Sequence, residues 1–235
     1  MGLAAATLTL TGTMVFAPGS AVQAEAILQE QGTLRPAEDE YAFAAEAGQV
    51  LAIVMDSADF DTVLTLMGPD GQEVAFNDDS GGTLNSRIIY SVPTTGNYTI
   101  VARSYSGQGG NYNIEVRPAT AYEVGYESAQ ASLMSGDYDA AIAEFTNLIA
   151  LEPANPEAYL SRVDAYFSQA YEAMEAEGRF FEGPDDLDPE VRANVVSDLE
   201  TVSGLYAEQG DEFAAESFAS QAEFIRTGVY PEGPF

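Results

Sequence analysis

The chain has 235 residues, of which 38 are acidic and 8 are basic, so its formal charge at pH 7 is −30. All eight basic residues are arginines, and the chain contains no histidine, cysteine or lysine, which excludes a Ser-His-Asp triad, thiolate chemistry and zinc fingers. Charge of this sign also disfavours nucleic acids and anionic membranes as partners, and it favours basic proteins and divalent cations. Adaptation to a saline or acidic compartment is an alternative explanation for the charge.

The first 24 residues carry no charge and include an apolar run over residues 3–17. Val22-Gln23-Ala24 then places small residues at the −3 and −1 positions of a cleavage site. We interpret residues 1–24 as a signal peptide cleaved before Glu25, although no basic residue precedes the run. A membrane anchor is the alternative, but a span needs ~20 apolar residues. We therefore expect export to a periplasm, a thylakoid lumen or the extracellular space, with no stable membrane insertion after cleavage.

Residues 25–118 are predicted to form a β domain, because short runs of alternating apolar and polar residues are separated there by Gly, Pro, Asn and Asp. One run, residues 51–55, is apolar on both faces and is therefore expected to be a central strand. Runs at intervals of ~10 residues are typical of an antiparallel β-sandwich. Strands are predicted at 41–45, 51–55, 62–67, 73–77, 87–92, 98–103 and 112–116.

A hairpin turn is predicted at Pro69-Asp70-Gly71, where the glycine supplies a positive φ. This turn sets Thr62 opposite Asp79, so carboxylates from both strands converge at one end of the sandwich. An oxygen-only cluster suits Ca²⁺, which takes 6–8 such ligands. The alternative is that these Asp and Asn residues only form turns and accept backbone hydrogen bonds. The candidate calcium ligands are Asp59, Asp61, Asn77, Asp78 and Asp79.

Residues 30–118 resemble the bacterial pre-peptidase C-terminal domain. The resemblance rests on the order of four motifs, which are residues 59–64 (DFDTVL), 77–82 (NDDSGG), 85–88 (NSRI) and 93–98 (PTTGNY). It implies a jelly-roll-like β-sandwich found on secreted proteins, often beside proteases, that serves as a noncatalytic accessory or binding module. No protease domain accompanies it in this sequence.

After Ala119 the apolar residues recur with the helical period, and helices are predicted at about 120–134, 138–151, 156–177, 189–209 and 211–227. The domain boundary is therefore placed near Pro118, with a helical domain over residues 119–235. Residues 25–118 contain 14 acidic residues and 4 arginines, whereas residues 119–235 contain 24 acidic residues and 4 arginines. Most of the negative charge therefore belongs to the helices.

The segment from Gly136 to Ile142 resembles the second helix of a tetratricopeptide repeat, together with Phe145, Leu148 and Pro153. Counting back places a repeat of 34 residues at 122–155, and a weaker copy covers 196–229. The resemblance implies a concave groove that binds peptides. The groove residues are apolar or acidic, which favours a basic or amphipathic peptide. They are Tyr126, Gln130, Leu133, Leu160, Asp164 and Phe167. A small bundle for dimerisation or spacing is the alternative.

Between the third and fourth predicted helices, Phe180-Phe181 lies in an acidic loop. The loop either docks on the helices or forms a contact site, and docking is favoured because adjacent aromatic residues are rarely left in water.

Taken in full, the sequence predicts an exported, noncatalytic adaptor or scaffold, in which a jelly-roll-like β-sandwich precedes a tetratricopeptide-like helical array. The combination resembles cyanobacterial exported proteins. The alternative functions are an accessory subunit of a secreted protease and a carboxylate-dependent hydrolase. No cofactor other than Ca²⁺ is expected.

Overall fold

Among the residues that the structure describes, eight strands are followed by five α-helices. The structure is a computed structural model, which describes residues 26–34, 38–80 and 83–229, without the side chains of residues 33 and 34. The predicted signal peptide, residues 1–24, lies outside the described residues. The strands are β1 (Leu28–Leu34), β2 (Asp39–Ala45), β3 (Val50–Asp56), β4 (Thr62–Met67), β5 (Glu73–Asn77), β6 (Ser86–Ser91), β7 (Gly96–Ser104) and β8 (Gly110–Pro118).

The strands form two antiparallel sheets of four, in the orders β1-β8-β3-β6 (sheet A) and β2-β7-β4-β5 (sheet B). Successive strands alternate between the sheets except at the β4–β5 hairpin, which is the connectivity of a jelly roll. The predicted fold class is therefore confirmed. Strand β1 was not predicted, because its sequence LQEQGTL lacks an apolar alternation. It is an edge strand that pairs only with β8, and an edge strand needs no continuous buried face.

The β4–β5 hairpin has the predicted turn, and it has the predicted register from Leu66 back to Leu64, beyond a register shift between Leu66 and Met67. Gly71 has a φ of +75°, and its amide donates to the carbonyl of Gly68 at 2.9 Å. Leu64 pairs with Asn77, as the turn predicted. The predicted extension to Thr62 opposite Asp79 is wrong, because the β4–β5 ladder ends at Asn77. The amide of Thr62 donates instead to the carbonyl of Leu84 at 2.9 Å.

The core of the sandwich lies between the two sheets and is fully buried at its centre. Strand β3 is the central strand that its sequence predicted, since it pairs with β8 on one side and β6 on the other. Ala52 is fully buried although it points away from this core, so the outer face of sheet A is covered at this position, while its neighbours Val54 and Ile89 on that face are partly buried. The inward side chains with at most 1% exposure are Leu51, Ile53, Met55, Leu64, Leu66, Tyr98, Ile100, Ala102, Ile114 and Val116.

The helices are α1 (Ala121–Met134), α2 (Tyr138–Leu151), α3 (Pro156–Ala176), α4 (Pro189–Gln209) and α5 (Glu212–Thr227), within two residues of the predicted bounds. Each begins after a side chain that accepts a hydrogen bond from a first-turn amide, and these caps are Thr120, Asp137, Asn155, Asp188 and Asp211. Consecutive helices pack on each other, and α1 also touches α3 and β6. Within the described part of the chain, no helix is both long and apolar enough to cross a membrane.

Candidate functional site

The predicted calcium ligands Asp59 and Asn77 hold turns together. The Asp59 Oδ2 accepts hydrogen bonds from the backbone N of Asn111 at 2.7 Å and from its Nδ2 at 3.1 Å, which fixes the start of β8. The Asn77 Oδ1 accepts from the amide of Arg87 at 2.9 Å, and its Nδ2 donates to the carbonyl of Asp79 at 2.9 Å. These contacts match the turn chemistry that was the alternative to metal binding.

The other three predicted ligands are Asp61, Asp78 and Asp79. The Asp61 Oδ1 is buried and has no hydrogen-bond partner in the described part of the chain. Asp78 uses its backbone carbonyl to accept from the hydroxyl of Ser86 at 3.4 Å, and the Asp79 side chain is exposed. No three acidic side chains among the described residues are gathered closely enough to hold a metal ion. Calcium binding stays a prediction from the sequence, and Asp61 is its best-placed ligand.

Two of the predicted groove residues, Tyr126 and Gln130, face helix α3. Tyr126 is 8% exposed, and its hydroxyl lies 2.8 Å from the Oγ of Ser161. The Gln130 Nε2 donates to the Tyr126 hydroxyl at 2.8 Å. This network joins α1 to α3, so Tyr126 has little surface left for a partner.

The remaining groove residues differ in what they expose. Leu133 packs on the core between α1, α2 and α3, whereas Leu160 and Phe167 pack on the core that α3 shares with α4 and α5. Asp164 is exposed and makes no hydrogen bond or ion pair with the described residues. Partial desolvation raises the pKa of Asp164. Of the six groove residues, Asp164 therefore has the most free surface for a cation.

A second surface feature lies at the end of α3 and was only partly foreseen. Phe181 packs edge-on against Tyr171 and Phe167, with ring centroids 5.2 and 6.2 Å apart, so it docks as predicted. Its neighbour Phe180 does not dock and is 85% exposed, while Tyr171 is 49% exposed. We call Phe167, Tyr171, Phe180 and Phe181 the distal aromatic patch. Sequence reasoning missed Tyr171, which follows Phe167 at the i+4 spacing of one helix face.

Each of the seven arginines that the structure describes donates to an acceptor within the chain. The acceptors include acidic side chains for six of them and the Thr65 hydroxyl for Arg103. The arginines are therefore committed to internal contacts, whereas most of the acidic side chains have no cationic partner. The surface left for a partner is strongly negative. The seven are Arg87, Arg103, Arg117, Arg162, Arg179, Arg192 and Arg226.

Comparison with known proteins agrees with the fold of the first half of the chain. Residues 37–104 match the family described as the bacterial pre-peptidase C-terminal domain. No protein with a curated function matches the sequence.

Among solved structures, the pre-peptidase C-terminal domain of a Bacillus anthracis collagenase is 15% identical, with a TM-score of 0.34, over 38% of this chain and 87% of that chain. PliG of Aeromonas hydrophila, a periplasmic inhibitor of g-type lysozyme, is 17% identical, with a TM-score of 0.35, over 43% of this chain and 92% of that chain. The CspB protease of Clostridium perfringens is 11% identical, with a TM-score of 0.28, over 38% of this chain and 25% of that chain. Residues 37–104 therefore match the bacterial pre-peptidase C-terminal domain through the family model, and a helical region follows this match.

Proposed function

We propose that this chain is an exported, noncatalytic binding protein whose helices hold a basic protein or peptide, with the β-sandwich as an accessory module. One observation supports the proposal: all seven described arginines donate to acceptors within the chain, whose formal charge is −30. A surface of this kind attracts cationic partners and repels anionic ones. The signal-peptide pattern of residues 1–24 supports export.

The helical region is proposed to be a divergent tetratricopeptide array. Helices α1 and α2 cover most of the predicted repeat at 122–155, and they are joined by a turn in which Gly136 has a φ of +80°. In this arrangement Asp164, on α3 beside the α1 contact, receives a Lys or Arg of the partner. Binding would offset the cost of partly desolvating this unpaired carboxylate, because the partner places a positive charge beside it.

The proposal is tested by fluorescence anisotropy with a labelled lysine- and arginine-rich peptide and with an acidic peptide of the same length. We expect binding of the basic peptide alone, with a dissociation constant that rises at least about tenfold between low and moderate salt, because salt screens surface charge. Asp164→Asn should weaken binding about three- to fivefold, since one surface ion pair contributes up to about 1 kcal/mol.

Glu216→Gln is the matched control, because it removes one exposed acid from α5, away from the α1–α3 contact. It should leave the affinity within about twofold, a change that corresponds to less than about 0.5 kcal/mol. Equal affinity for the acidic and basic peptides, or failure of the basic peptide to bind, would overturn the proposal.

A further inference from the structure

The distal aromatic patch exposes apolar surface on a loop that is itself firmly held. Phe180 is 85% exposed, yet the residues on both sides of it are fixed. The amide of Arg179 donates to the carbonyl of Met174 at 2.9 Å, which ties the loop to the last turn of α3. Phe181 packs on Tyr171 with ring centroids 5.2 Å apart. The exposure of Phe180 is therefore a feature of an ordered loop.

The rest of the loop is also ordered by its own side chains. The Asp186 carboxylate accepts from the amides of Glu182 and Gly183 at 2.7 and 3.2 Å, and it pairs with the Arg179 guanidinium at 3.2 Å. Leu187 then inserts into the core between α3, α4 and α5. These contacts hold the loop backbone in place, so the exposure of the Phe180 ring does not come from disorder of the loop. Phe180 is not isolated, because it adjoins Phe181, which contacts the half-exposed Tyr171. Exposed apolar patches made of several side chains mark interaction sites, whereas single exposed apolar residues do not.

The charge around the patch decides which occupant fits it. The acidic residues near the rings in sequence, on the last turns of α3 and in the loop, are exposed: Glu172, Glu175, Glu177, Glu182 and Asp185. The arginine in this stretch, Arg179, is already paired with Glu177 and Asp186, and Arg192 of α4 pairs with Asp185 at 2.6 Å. Glu172, Glu175 and Glu182 therefore have no arginine partner among the described residues. A second copy of this chain would bring another charge of −30, and an anionic bilayer would be repelled as well. A cationic segment with apolar side chains is complementary in both charge and hydrophobicity.

We propose that the distal aromatic patch is the docking site for an amphipathic basic segment of the partner, an inference that rests on the proposed function. Apolar side chains of that segment cover Phe180 and Tyr171. Its arginines or lysines lie over the exposed ring faces and beside the surrounding carboxylates, where cation–π and ionic contacts add to one another. Asp164 contributes charge, and the distal aromatic patch provides apolar contact that a purely ionic site lacks.

The test uses two synthetic peptides of equal length and equal positive charge, measured by fluorescence anisotropy against the full chain. One is amphipathic, with leucines along one helical face, and the other has glycine and serine in place of leucine. We expect Phe180→Ser to weaken binding of the amphipathic peptide about tenfold, which corresponds to losing most of one buried phenylalanine contact. Binding of the glycine–serine peptide should change by less than about twofold.

Phe213→Ser is the matched control, because Phe213 is also 85% exposed and lies in the first turn of α5, directly after the turn between α4 and α5. Helix α4 separates that turn from the distal loop, and its 21 residues span roughly 30 Å. The control should bind both peptides like the wild type. Circular dichroism melting of each variant checks that the helices remain folded.

Three outcomes count against the docking site. If Phe180→Ser and Phe213→Ser weaken peptide binding equally, any exposed aromatic residue contributes to binding, and the distal aromatic patch is not a specific site. If the wild type binds both peptides and Phe180→Ser binds them equally well, the distal aromatic patch is not the docking site, and the proposed function is unaffected. Self-association or vesicle binding that Phe180→Ser abolishes would assign the patch to a second copy or to a membrane. If neither peptide binds the wild type, the proposed function itself fails.

Discussion

The guanidinium of Arg87 on strand β6 lies 3.2 Å from the carboxylate of Glu157 on helix α3, and this ion pair joins the two halves of the chain. The same guanidinium carbon lies 6.0 Å from the ring centroid of Tyr126 on α1. Since Arg87 projects from the outer face of sheet A, one side chain connects the sandwich to two helices. The contact joins residues 70 positions apart.

Replacing Arg87 with Gln should weaken the coupling between the two domains. We expect a loss of about 1–2 kcal/mol, because both side chains are largely buried and Glu157 would keep its charge without a partner. Differential scanning calorimetry should then separate the melting of the sandwich from that of the helices. Arg103→Gln is the control, since Arg103 lies on sheet B and donates to the Thr65 hydroxyl. A single transition at the wild-type temperature would contradict the coupling.

The contact between Arg117 and Glu123 predicts an acid-sensitive start of α1. Burial alone would raise the pKa of Glu123, but hydrogen bonds from Arg117 and from the amide of Thr120 outweigh it and lower the pKa below the usual value for glutamate. The stabilisation is therefore present above the usual glutamate pKa, and it is lost as the pH falls through the lowered value.

Glu123→Gln tests this, because glutamine can keep the capping hydrogen bond to Thr120 while it loses the charge. We expect the variant to be less stable by about 2 kcal/mol at neutral pH, since hydrogen bonds to charged groups contribute that much. The difference from the wild type should shrink as the pH falls towards 3. Urea unfolding across that range measures it, and a difference independent of pH would show that the charge does not matter.

The buried ion pair between Arg162 and Asp198 holds three helices together. Asp198 is 2% exposed and accepts from the Arg162 Nε and Nη2 at 2.9 and 2.6 Å, while the Arg162 Nη1 donates to the Thr146 hydroxyl at 2.8 Å. Asp198→Ala leaves a desolvated guanidinium without its counter-charge, so we expect a loss of about 3 kcal/mol in urea unfolding. Glu200→Ala, which removes an exposed partner of Arg226, should cost less than about 1 kcal/mol. Equal losses would contradict the assigned role of burial.

Calcium binding at the end of the sandwich predicts that Ca²⁺ raises the melting temperature. A ligand that binds only the native state raises the free energy of unfolding. Above the dissociation constant, this increase grows with the logarithm of the ligand concentration. The rise should disappear in the Asp61→Ala/Asp79→Ala double variant, which removes the Asp61 Oδ1, an atom that is buried without a hydrogen-bond partner among the described residues. Mg²⁺ at equal ionic strength controls for charge screening. A double variant that responds to Ca²⁺ like the wild type would place the ion elsewhere.

Helix bounds and the hairpin register could be predicted because local chemistry decides them. Asp137 caps α2 through the amide of Ala140 at 3.2 Å, and the Pro69-Asp70-Gly71 turn, together with a bulge at Leu66 and Met67, sets Leu64 against Asn77. Strand β1 escaped prediction because its partner β8 lies more than 75 residues later in the chain. The role of Tyr126 also required the fold, since an aromatic residue on a helix face suits a groove and a helix contact equally well.

The sequence by itself determined the total charge and the kinds of side chain available. From these alone follow the exclusion of histidine and cysteine chemistry and the preference for a cationic partner. Only the tertiary structure decided where the few arginines are used, because their partners are brought close by packing, as with Asp198, 36 positions from Arg162. The same packing partly buries Phe181 and leaves Phe180 in water, although the two adjacent residues are chemically identical.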